Sequence, residues 1–87
     1  MKKLFVSIDR KYKSQTTINS QIDAAINAAK KVVNDDIIVV HSIYNADCVW
    51  FVDEWEDDIK CYEEHCYCVR NNIQILHDKS EFWNRET

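Results

Sequence analysis

Two kinds of hydrophobic pattern alternate along the chain. Short apolar runs occur at Leu4–Ile8, Ile37–Val40 and Cys48–Val52, and Ile73-Gln74-Ile75-Leu76 forms a fourth run near the end. Each is bounded by polar residues and has the length of a strand. The second and third are continuously apolar instead of alternating, which points to strands buried on both faces. Between the first two runs, Ile18, Ile22, Ala25, Ile26, Ala29 and Val33 recur at three- and four-residue spacing. That spacing predicts a helix from about Thr17 to Val33, capped by Thr16 or Thr17 and ended by Asn34-Asp35. A second helix is predicted from Asp57 or Asp58 to about Arg70, with Ile59, Tyr62, Cys66 and Val69 as its inward stripe and Asn71-Asn72 closing it.

The order is β-α-β-β-α-β, an α/β fold with a four-stranded sheet and two helices. Seven residues, His41 to Asp47, join the second and third strands. A parallel crossover ordinarily takes a dozen or more residues, so this short link predicts a hairpin between those strands. Both helices then lie on one face, as a two-layer sandwich. The uncovered face of two very apolar strands predicts a homodimer through the exposed sheet. Residues 1–77 read as one domain and 78–87 as a polar tail around Phe82-Trp83.

Composition changes this picture in two ways. The 87 residues contain neither glycine nor proline. Turns that need a left-handed residue therefore fall to asparagine or aspartate, and a glycine-rich phosphate loop is excluded. The net charge is −4 and the pI about 5.2, which argues against a general nucleic-acid binder. Charge is unevenly spread: Arg10, Lys11 and Lys13 follow the first strand, whereas Asp53, Glu54, Glu56, Asp57, Asp58, Glu63 and Glu64 crowd the middle. No apolar run approaches the roughly 18 residues of a membrane span, and the start does not read as a signal peptide, so the expected location is cytoplasmic with no membrane partner.

The stretch ADCVWFVDEWEDDIKCYEEHCYCVRNNIQIL, Ala46 to Leu76, resembles the small phage and prophage members of the nucleoside 2-deoxyribosyltransferase-like superfamily. Asp47, Trp55, Glu56, Cys61, Glu64, His65 and the Ile73/Ile75 strand fall on that group's pattern of an Ala-Asp strand, a Trp-Glu turn, a Cys-led helix carrying Glu-His and an Ile-rich strand. The opening MKKLFVS and the alanine-rich first helix look like the group's first β-α unit. The resemblance implies that Glu64 corresponds to the carboxylate that attacks the anomeric carbon of deoxyribose. The chain also departs from the family. Ile8-Asp9-Arg10-Lys11-Tyr12 stands where the family has a Gly/Pro loop against the nucleotide, Glu54 and Lys60 replace glycines, and the helical segment between strands two and three is absent. These losses predict that the ancestral pocket is gone.

In the remaining chemistry, Cys61, His65 and Cys68 share one side of the second helix. Cys68 lies about 10 Å along the axis from Cys61, too far for one tetrahedral ion, so they are read as packing and no metal or cofactor is expected. The leading expectation is a non-catalytic binding protein, a degenerate relative that inhibits host defence in the manner of an anti-CRISPR. Its partner is a protein, such as a host nucleic-acid-processing complex, met by the acidic and aromatic surface of Asp53, Glu54, Trp55, Glu56, Asp57, Asp58 and Glu63. The alternative is a nucleotide- or nucleoside-binding protein with weak N-glycosidase or deoxyribosyltransferase activity through Glu64, in which Arg10, Lys11 and Lys13 hold a phosphate.

Overall fold

The structure, a computed structural model, describes residues 1–11, 13–52 and 55–78. The elements follow the predicted order: β1 (Lys2–Ser7), α1 (Gln15–Val33), β2 (Ile37–Val39), a 3-10 turn η1 (Ile43–Asn45), β3 (Cys48–Phe51), a second turn η2 (Trp55–Asp57), α2 (Ile59–Arg70) and β4 (Gln74–His77). Among the described residues only Asn34 and Asn72 have positive φ, 53° and 56°. Both follow a helix, where a glycine would otherwise stand. Helix α1 starts earlier than its apolar spacing suggests, because the Ser14 hydroxyl, not Thr16 or Thr17, accepts the Thr17 N–H at 3.1 Å.

The sheet corrects the predicted topology. Its order is β2-β1-β3-β4 and every pair is parallel. The expected hairpin does not form: β2 and β3 each pair with β1, on its opposite edges. The link 40–47 crosses over β1 as η1, with Ser42 accepting from Tyr44 N–H and Ala46 N–H closing on Ile43 O. A crossover this short works because the strands are short. Two strand spacings are about 9.6 Å and a three-residue strand about 10 Å, within the roughly 27 Å that eight extended residues can span.

Alternate residues of each strand meet different helices. Leu4, Val6, Cys48 and Trp50 pack with Ile26 and Ala29 of α1, and Ile8 and Val52 with Ile18 and Ile22. On the other side Val49 and Phe51 pack with Cys61 and Cys68 of α2 and with Ile43 of η1. The fold therefore has three layers, helix–sheet–helix, and not the two-layer sandwich. The bare sheet face on which a homodimer was inferred is covered. Burying Phe51, Leu4 and Val49 completely contributes about 1.5–3 kcal/mol each.

Helix α2 is turned around relative to expectation. The stripe Ile59, Tyr62 and Val69 faces outward, 75%, 54% and 60% exposed, while Cys61 and Cys68 are buried. The large rings of Phe51 and Trp55 already fill the space beneath the helix, so small thiols and the flat imidazole of His65 fit there. His65 lies 4.3 Å from Trp55, nearly parallel, and 5.1 Å from Phe51, edge-on. Among the described residues no helix is long and apolar enough to cross a membrane.

Candidate functional site

Strand β1 sits where the chain's crossovers diverge. One connection runs over the α1 face to β2, and the next returns over the α2 face to β3. In open parallel sheets such a switch leaves a crevice at the carboxyl ends of the strands. The chain has a cleft of about 520 Å³ beside it, floored by Phe5, Val6 and Ile8 of the β1 end and Val39 and Val40 of the β2 end. Turn η1 forms one wall with His41, Ser42 and Tyr44. Helix α2 forms the other with Lys60, Glu63, Glu64 and Tyr67. Short as the connection between β2 and β3 is, it walls this cleft.

Glu64 lies on the helical wall of this cleft. It is half-buried, and the buried Ser7 hydroxyl at the end of β1 donates to its Oε1 at 2.8 Å. Burial pushes its carboxyl pKa above the ordinary 4.5. The Ser7 hydrogen bond and the Lys60 ammonium oppose that rise, and Asp58 adds to it. The group is partly desolvated and oriented by the Ser7 hydroxyl.

A second carboxylate lies six residues earlier, nearly two turns back at the start of α2. Asp58 precedes the first residue of α2, buried, with the Lys11 ammonium 3.6 Å away. Burial raises its pKa, but the Cys61 thiol and amide, Lys11 and the Lys60 amide together outweigh it and hold the carboxyl below 3.8. Cys61 lies between Asp58 and Ser7. Burial is the main cause that pushes its thiol up to about 12, and burial likewise pushes Cys68 to about 11. Both stay protonated and are poor metal ligands or nucleophiles. No group of three metal-ligating side chains comes together among the described residues.

The predicted phosphate group separates. Arg10 lines the cleft, while Lys11 pairs with Asp58 and Lys13 Nζ donates to Gln21 at 3.1 Å. The acidic run also disperses. Asp53 and Glu54 lie outside the described residues, as do Phe82 and Trp83. Trp55 is buried, and its indole N–H donates to the Asp78 carbonyl at 2.6 Å, so it is no surface anchor. Asp58 is buried, Glu56 half-buried, Asp57 exposed, and Glu63 lines the cleft.

Sequence reasoning missed Ser7, His41, Tyr44, Lys60 and Tyr67. Two of them left a signal. Ser7 is the one hydroxyl in an otherwise apolar first strand, at the end where parallel sheets place sites. Tyr67 is three residues past Glu64 on the same helix face. Compared with protein-family models, curated proteins and solved structures, the chain matches none.

Proposed function

We propose that the protein binds a nucleoside or nucleotide in the cleft before Glu64 and breaks its N-glycosidic bond there, as a shortened relative of the nucleoside 2-deoxyribosyltransferase-like superfamily. The observation that carries this reading is the half-buried Glu64, held by Ser7 on the wall of a cleft at the carboxyl ends of parallel strands. The ionised Glu64 oxygen attacks C1′ of the sugar. The C1′–N bond breaks, its electron pair leaves with the base, and the base takes a proton from solvent. Water then attacks C1′, Glu64 departs as carboxylate, and free sugar is released; a second base in place of water gives transfer. Ser7 orients the attacking carboxylate, and the low solvation of Glu64 favours its nucleophilicity. Arg10 and Lys60, both on the cleft, suit a 5′-phosphate. Incubation with the common deoxynucleosides and their 5′-monophosphates, followed by chromatography for free base, tests the reading. Release that disappears in Glu64→Gln supports it; release unchanged in that variant removes the covalent mechanism.

A second reading is favoured by the outward stripe of α2. Ile59, Tyr62 and Val69 are apolar, exposed and flanked by Asp57 and Glu63. Such a surface suits a protein partner with a basic rim, as an anti-CRISPR-type inhibitor of host nucleic-acid-processing machinery would need. Affinity capture from host lysate with wild type and with Ile59→Lys/Glu63→Lys tests it. A partner retained equally by both proteins speaks against this surface.

A further inference from the structure

We infer that Tyr44 and Tyr67 form the platform that reads the planar base of the ligand, and that Tyr44 makes the cleft selective for aromatic over purely sugar-phosphate ligands. The inference rests on the nucleoside reading above and names the part of the site that recognises the base. Tyr44 stands on η1, 75% exposed, an unusual position for a large ring on a three-residue turn. It is not loose there: its ring meets that of Tyr67 edge to face, centroids 5.0 Å apart at 86°. Each ring therefore fixes the other while both line the cleft from opposite walls.

The placement relative to Glu64 gives the pair its role. Tyr67 follows Glu64 by three residues on α2, so it lies about 4.5 Å further along the axis on the same face. A base held against the rings sets its glycosidic carbon one helical turn back, toward the carboxylate. Aromatic faces stack on any base, whereas hydrogen-bonding edges discriminate among bases, so the platform selects for a planar ring and tolerates base identity. Lys60 lies seven residues before Tyr67 on α2, about 10 Å back along the axis, which leaves it to the phosphate end of the ligand.

Calorimetric titration of wild type, Tyr44→Phe and Tyr44→Leu with the four common deoxynucleosides tests the inference, with thermal melting of each variant as the folding control. Tyr44→Leu is expected to weaken binding about ten-fold, and Tyr44→Phe to stay within about three-fold of wild type, with all three melting alike. Equal affinity in the Phe and Leu variants overturns the platform while leaving the nucleoside reading intact. A Leu variant that melts well below wild type assigns Tyr44 to holding η1 and also overturns it. Wild-type protein that binds none of the four overturns both.

Discussion

The two faces of helix α2 invert the usual order of an amphipathic helix. The face against the sheet carries Cys61, Glu64, His65 and Cys68, and the face toward solvent carries Ile59, Tyr62 and Val69. The packing groups and the carboxylate on the cleft therefore share one side. The sheet below supplies the bulk through Phe51 and Trp55, which frees the inner helix face to hold a carboxylate over the end of β1. The outer face carries the more conspicuous apolar pattern and little of the packing.

The sharpest way to separate the faces is to change one residue on each. Glu64→Gln keeps the shape of the inner face and removes the carboxylate proposed to attack C1′; on that proposal base release should fall by roughly three orders of magnitude or more while nucleoside affinity, measured by calorimetry, persists. Next in size is Cys68→Ser. Its hydroxyl enters a fully buried apolar place and should cost roughly 1–3 kcal/mol in urea unfolding. Cys61→Ser should cost under about 1 kcal/mol, because Asp58 and Ser7 stand ready to bond the new hydroxyl.

The two carboxylates at this end of α2 should respond to pH with opposite sign. Asp58 is held below 3.8, so its contribution is present above that value and is lost as pH falls through its folded pKa. Asp58→Ala should destabilise the protein at neutral pH, and the difference from wild type should shrink as pH falls below 3.8. Glu64 is raised above 4.5, so the folded state keeps a proton that the unfolded chain has released. Stability is full below 4.5 and falls as pH rises through the folded value. Melting of Glu64→Gln should therefore gain on wild type as pH rises above 4.5. The smallest effect belongs to the outer face: Ile59→Lys and Val69→Lys should each stay within about 0.5 kcal/mol of wild type. A loss above that would mean the outer stripe is packed against something.

How far the sequence carried the structure differs between elements. The strands, both helices and the asparagine caps were legible because each is set by local pattern: continuous apolar runs, three- and four-residue spacing, and the tolerance of Asn34 and Asn72 for positive φ. The topology was half legible. The unbroken apolar runs of β2 and β3 pointed to burial on both faces, but the short link argued for a hairpin. What it concealed is that strands of three and four residues shorten the return path of a crossover. The orientation of α2 was not legible, since hydropathy prefers Ile59 and Val69 as inward residues over Cys61 and Glu64. Only the volume of Phe51 and Trp55 beneath the helix reverses that preference. Glu64 was found as a residue through resemblance; its partner Ser7 and its cleft, which depend on the true sheet order, were not.

The central place of β1 also bears on how the chain is made. Strand β1 is made before both of its sheet partners, and the nearer of them in the chain, β2, is not complete until Val39. At roughly 5–20 residues per second that interval is a few seconds. Helix α1, which lies between β1 and β2 in the chain and forms from local contacts, is the element that covers Leu4 and Val6. The second edge of β1 waits longer still, for β3. Nascent-chain experiments on truncations ending before and after Phe51 would therefore find the growing protein most dependent on chaperones in the window before β3 is docked.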